Sequence, residues 1–346
     1  MRAFEDIPNE ILLQIASDVH SSDQLSLSLT SRRLHSIAES HLYRSVTLKD
    51  RVVETERERK LQTFLRTIIS RPELGAITRH LEIMWNDSFD ERGEIGCKQY
   101  SYDGDRARGY LATLQTLARK KGLSALAVSE LENGWCRPHL SLLMHLLPSL
   151  KSLLLVWIRW NAKMDTRWVW AEDEYHGPTP VGLRTLSDLE IHQGTAYDLI
   201  PLMSLPTLNS FRASFLYGAG GKQEILRSMR SVKRSSKLRK LQLKFCAVDT
   251  ELLDGILQLP EALDTLILMY HYSFPRHIDP SAVARTFHHQ IHSLTTLSVT
   301  DVIPPDMIED LEPMGSLRDF TLLKTLRIPC LYLLGNPITF DDGPQD

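Results

Sequence analysis

The chain is short of cysteine. Four in 346 residues, at positions 97, 136, 246 and 330, lie far apart and form no Cys-x-x-Cys. This argues against a zinc site or a disulfide framework and fits a reducing compartment, cytoplasmic or nuclear. An excess of one charge is also lacking. Lys and Arg number 40 against 43 Asp and Glu, a formal net −3, so bulk attraction to nucleic acid or to an anionic membrane is not indicated. The longest apolar run, Leu153 to Ile158, is far too short to span a bilayer. Glu5 and Asp6 replace the basic start of a secretory signal, so none is expected.

Catalytic signatures are missing as well. There is no Gly-x-Ser-x-Gly elbow, and no Cys–His pair is marked out for nucleophilic attack. Gly218-Ala219-Gly220-Gly221-Lys222 fails as a phosphate loop. Its first glycine would fall at Leu216, and Gln223 stands where Ser or Thr must hold the metal. His288, His289 and His292 fall on an expected helix, with His288 and His292 on one face. No glutamate between them and no third ligand completes a metal site. No enzyme activity, metal or cofactor is therefore expected.

What is present begins at the N-terminus. Residues 1–48 read as three short amphipathic helices. Pro8 suits a first helical turn, or Asn9 can act as the cap. Ile11, Ile15 and Val19 recur every four residues, with Leu12 and Ala16 beside them. Ser22 or Asp23 can cap a second helix carrying Leu25 and Leu29. Ser31 can cap a third, with Leu34, Ile37, Ala38 and Leu42 at helical spacing. So short a module cannot hide all these side chains, and some must face a partner or the rest of the chain.

The order Ile7-Pro8-Asn9-Glu10-Ile11-Leu12, then Asp23 to Leu29, then Ser31-Arg32-Arg33-Leu34 resembles an F-box. Ile7 stands where that family usually has Leu, and His41-Leu42-Tyr43-Arg44 where it often has a tryptophan. The resemblance implies docking onto a Skp-type adaptor of a cullin–RING ubiquitin ligase. Pro8, Ile11, Leu12, Ile15, Leu25 and Leu29 are the candidates for the docking face, some of them also needed for the three-helix core.

Ser45 to Leu48 alternates and reads as a strand. Residues 49–76 are expected to form a linker helix, with a charge run over 49–60 on its solvated face. Leu61, Phe64, Leu65 and Ile68 form its buried side, and Arg71-Pro72 ends it.

Residues 77–340 carry a repeat: aliphatic, two residues, aliphatic, one residue, aliphatic. Copies start at Leu150, Leu186, Leu208, Leu238, Leu263, Leu294 and Leu323, with a degenerate one at Leu81-Glu82-Ile83. Helix-like pieces such as Gln223 to Met229 and Ala282 to Ile291 lie between copies. A strand and a helix at this period mark a leucine-rich-repeat solenoid, whose units bury their apolar faces against one another. The expected fold class is thus α/β: a three-helix F-box-like module, then an irregular leucine-rich-repeat solenoid. The spacing is uneven and the consensus asparagine is absent, so the closest resemblance is to divergent fungal F-box proteins with leucine-rich repeats.

Side chains between the aliphatic positions should line the concave sheet face. They are Asp188, Glu190 and His192; Ser210, Arg212 and Ser214; Lys240, Gln242 and Lys244; Thr265, Ile267 and Met269; Thr296, Ser298 and Thr300. Asp188, Glu190, Arg212, Lys240 and Lys244 are the candidates for holding a protein substrate. From Lys222 to Lys244 there are nine basic residues and one acid, Glu224. This is either a solvated helix or a patch for an acidic or phosphorylated partner. Aromatic interleaving is absent, which disfavours single-stranded nucleic acid.

Residues 84–146 break the rhythm. Met84 to Asp87 and Gly93 to Gly104 read as loop, and Tyr110 to Lys121 and Leu123 to Leu131 as helix. Trp157, Trp160, Trp168 and Trp170 suggest a packed loop or an aromatic rim. Residues 341–346 read as a tail, with no capping element evident. Function is expected to be substrate recognition for a ubiquitin ligase. A repeat scaffold without a ligase role is the alternative.

Overall fold

A computed structural model describes residues 7–50, 60–85, 102, 105–134, 136–157, 179–195, 202–217, 226–227, 229, 234–270, 279–301 and 312–335. The fold is α/β: helices first, then parallel strands alternating with helices. The chain divides into two compact units. The first holds residues 1–88, 97–154 and 177–185, and the second 89–96, 155–176 and 186–346.

The first unit opens with α1 (Asn9–Asp18), α2 (Ser21–Ser28) and α3 (Arg32–Leu42). Ser31 caps α3 as expected, its hydroxyl accepting from the Leu34 N–H. The other two starts differ from expectation. Pro8 is itself the extended N-cap of α1, and Asn9 is already helical. α2 begins at Ser21 behind His20, so neither Ser22 nor Asp23 is its cap. Leu12, Ala16, Leu34 and Ile37 form the core of the three helices, with Ile7 and Leu27 packed at its edge.

Strand β1 (Ser45–Asp50) follows, then α4 (Lys60–Ser70), α5 (Pro72–Ile77) and β2 (His80–Trp85). Leu61, Phe64, Leu65 and Ile68 of α4 are buried, as their spacing requires. Met84 and Trp85, expected in a loop, complete β2 instead. Each pairs in parallel with the end of β1, Met84 opposite Lys49 and Trp85 opposite Asp50. Helices α6 (Asp105–Lys120), α7 (Ala125–Glu132) and α8 (Cys136–Met144) precede β3 (Ser152–Trp157), whose residues from Leu155 on belong to the second unit, and α9 (Val181–Arg184) closes the first. Gly75 and Gly182 are sites of close approach. A Cβ at Gly75 would lie 2.5 Å from the Leu146 carbonyl oxygen, and one at Gly182 2.7 Å from that of Met144.

His145 follows α8 and is buried. Burial, with the charges of Lys121 and Arg184, pushes its pKa from 6.5 down to about 4. The neutral form therefore belongs to the fold, and the unfolded chain binds more protons between those values. Stability should be full above the unfolded pKa of 6.5 and fall as pH drops toward 4. His145→Gln is expected to flatten that slope in urea melts at pH 7, 6 and 5. An unchanged slope would assign the pH dependence elsewhere.

In the second unit, β4 (Asp188–Thr195), β5 (Ser210–Tyr217), β6 (Lys240–Lys244), β7 (Thr265–Met269), β8 (Thr296–Thr300) and β9 (Thr325–Arg327) pair in parallel and in chain order. Helices α10 (Thr250–Leu257) and α11 (Pro280–Phe287) connect successive strands, capped by the carboxylates of Asp249 and Asp279. The last described helix is α12 (Cys330–Leu334).

The aliphatic positions of the copies starting at Leu150 to Leu294 are all buried. One backbone joint recurs in these copies. The carbonyl of the residue after the first aliphatic accepts two N–H groups from the next copy. Ser187 takes Asn209 and Ser210, Asn209 takes Arg239 and Lys240, Arg239 takes Asp264 and Thr265, Asp264 takes Thr295 and Thr296, and Thr295 takes Lys324 and Thr325. The last copy departs from expectation. Leu326 is 44% exposed, and all of β9 is exposed among the described residues. Its outer edge has no described strand beyond it to bury the Leu side chains.

Candidate functional site

Two surfaces collect the residues singled out by sequence. The first lies on α1 and α2. The α1 core positions Leu12 and Ala16 are four apart and point inward, which turns Ile11 and Ile15 outward. Ile11 is 47% exposed, Ile15 38%, Leu25 56% and Leu29 79%. Pro8 is exposed beside them in sequence. Leu12, expected on this docking face, is 2% exposed and is a core residue instead. Leu13, not singled out, is exposed too.

Polar ties hold these helices in place. Arg33 donates twice to Asn9 Oδ1, at 2.9 and 2.8 Å, and once to the Ile7 carbonyl. The start of α1 is thereby clamped to α3. Gln24 Nε2 donates to the Ala16 and Val19 carbonyls at 2.8 and 3.2 Å, fixing the α1–α2 corner. Arg71 forks onto Glu39 of α3, with Nη2 to Oε2 at 2.8 Å, and donates to Glu73 at 2.9 Å. The Arg71 hydrogen bond holds the Glu39 carboxyl below its usual range, despite the opposing cost of burial. The exposed aliphatic side chains thus sit on pinned helices.

The second surface is the face of β4–β8 opposite the buried Leu positions. Rows run straight across it. Asp188, Ser210, Lys240, Thr265 and Thr296 are in register, as are Glu190, Arg212, Gln242, Ile267 and Ser298. His192, Ser214, Lys244, Met269 and Thr300 form a third row. Glu190 is engaged on both oxygens, by His192 at 2.7 Å and by Arg212 at 2.9 Å. Asp188 accepts from the Ser187 hydroxyl at 2.6 Å. Among the described residues, neither Lys240 nor Lys244 has an ion pair.

His288, His289 and His292 do not lie along one helix face. Helix α11 ends at Phe287, and His288 enters a 3₁₀ turn, so His288 and His292 do not share a helix face. His289 instead meets Asp254 at 2.7 Å. Among the described residues no cluster of His, Cys, Asp or Glu can hold a metal ion, and no helix is long and apolar enough to cross a membrane. The glycine-rich stretch 218–222, Trp160, Trp168 and Trp170 lie outside the described residues.

Comparison with known families bears on the first surface. Residues 4–49 match the family described as F-box-like. The match covers α1 to α3 and most of β1. F-box domains generally bind Skp-type adaptors in cullin ligases. No curated protein matches the chain.

Proposed function

We propose that this chain is a substrate-recognition subunit of a cullin–RING ubiquitin ligase. The carrying observation is the set of exposed aliphatic side chains Ile11, Ile15, Leu25 and Leu29 inside the F-box-like region, on helices whose core is already filled without them. Aliphatic side chains left out of a complete core cost solvation until a partner covers them. The partner is a Skp-type adaptor, which links the chain to the cullin.

The strands of the second unit form a leucine-rich-repeat type of domain, supported by the recurrent strand joint and by the buried Leu positions. Its open rows hold a protein substrate, with Asp188, Glu190, Arg212, Lys240 and Lys244 among the contacts. A face of mixed charge and hydroxyl groups suits a protein better than a small molecule. The chain positions its target and does no chemistry itself, in the cytoplasm or nucleus. Co-expression with a Skp-type adaptor tests the reading. The full chain is expected to purify as a complex with the adaptor. A folded chain that never captures it leaves a repeat scaffold with no ligase role.

A further inference from the structure

The charges on the open rows are not distributed evenly between paired and unpaired groups. At one end, Glu190 satisfies both Arg212 and His192. In the middle, Lys240 and Lys244 stand on the same strand and the same face of β6. Their in-register neighbours carry no charge. Lys240 lies between Ser210 and Thr265, and Lys244 between Ser214 and Met269. The nearest acids on these rows, Asp188 and Glu190, both lie on β4, two strands away, about 10 Å at the usual strand spacing. Asp188 accepts from the Ser187 hydroxyl, and Glu190 is engaged by Arg212 and His192.

Two ammonium groups without a described partner, four residues apart on one strand, are separated by about 13 Å along the chain direction. An extended peptide repeats its side chains on one side every two residues, so its positions i and i+4 have that same separation. From this match we infer that β5–β7 read an extended acidic segment of the substrate, with carboxylates at i and i+4 seated on Lys240 and Lys244. The hydroxyls of Ser210 and Thr265 supply donors beside the Lys240 contact, and Met269 an apolar wall beside the other. This rests on the open rows being the substrate surface and names the chemistry they recognise. Charge pairing of this kind sets partner choice and association rate more than total affinity.

Fluorescence anisotropy on the full chain with labelled nine-residue peptides tests it. The probe is Gly-Thr-Glu-Thr-Val-Thr-Glu-Thr-Gly, compared with an all-Gln version and one with the two Glu residues two positions apart. The i,i+4 peptide should bind about tenfold tighter than the Gln peptide, the sum expected of two exposed ion pairs. It should also bind tighter than the closer-spaced version. K240E/K244E should abolish that preference. If the reversal variant does not keep its circular dichroism melt, K240M/K244M retains the stems without the charge and should give the same loss. Equal binding of the three peptides, or a preference untouched by either variant, overturns the inference. Tighter binding of oligo(dT) or poly(U), lost with the same variants, also overturns it in favour of a nucleic acid. Adaptor co-purification should be intact in every variant. Its absence in the unmutated chain would count against the ligase reading and not against the acidic segment.

Discussion

Ile11→Asp, Leu25→Asp and Leu29→Asp together should abolish co-purification with a Skp-type adaptor and leave the helices folded. These side chains are 47%, 56% and 79% exposed and contribute nothing to the Leu12–Ala16–Leu34–Ile37 core. Each buried aliphatic gives an interface roughly 1.5–3 kcal/mol. An Asp in its place loses that gain and must also shed water from a carboxylate. Three such changes exceed about 4 kcal/mol, a loss of at least about a thousandfold in affinity. The folding cost is small by contrast, on the order of 0.5 kcal/mol for each exposed site.

Leu12 is the wrong position for this experiment. At 2% exposure, Leu12→Ala alone should cost about 2–5 kcal/mol of stability, and a carboxylate there more. Lost binding in a Leu12 variant would report unfolding and not docking. Size-exclusion chromatography and a circular dichroism melt on the triple variant separate the two outcomes. A folded triple variant that still captures the adaptor would remove the docking reading.

Leu12 also shows where sequence reading reaches its limit. Ile11, Leu12 and Leu13 are three consecutive aliphatics, each turned about 100° from the last. Most of the helix circumference is apolar there, so its phase cannot be taken from the pattern. Only the partners Leu34 and Ile37, supplied by α3, decide which residue faces in. The strand rows were a simpler case. Side chains on a strand alternate with period two, and Leu-x-x-Leu-x-Leu admits one phase, so Lys240 and Lys244 were legible as one face of β6.

Ion pairs and ties were harder to anticipate. The Arg33 clamp to Asn9 spans 24 residues, and the Arg71 fork to Glu39 spans 32. No local period encodes contacts at that separation. The end of the repeat departs from its pattern of burial for a related reason. Leu326 keeps the pattern, but burial of a repeat position depends on a neighbour on each side.

Gln290→Leu should cost about 3–5 kcal/mol and loosen the second unit selectively. Gln290 is 3% exposed, and in sequence it falls among the polar positions of the helix-like piece Ala282 to Ile291. Its side-chain amide is fully used. Oε1 accepts from the Leu263 N–H at 2.8 Å and from the Ser293 hydroxyl at 3.0 Å. Nε2 donates to the carbonyls of Leu257 at 2.7 Å and Pro260 at 3.2 Å. One side chain thus satisfies three backbone groups between Leu257 and Leu263, where the chain leaves α10 and turns toward β7. A leucine of similar volume fills the space and strands all three groups away from water. Each orphaned group costs about 1–3 kcal/mol, partly offset by the added apolar contact. Gln290→Glu is the sharper probe. It keeps the acceptor for Leu263 and loses both donors, and its charge is buried against two carbonyls. Its folded pKa must therefore rise above the unfolded value. Its stability deficit should shrink as pH falls, because protonation restores one donor. Hydrogen exchange should show faster opening of peptides within residues 250–300 in both variants, with peptides within 105–150 unchanged. A Gln290→Leu protein with unaltered exchange would mean that the buried amide is a passenger and that Leu packing alone joins these copies.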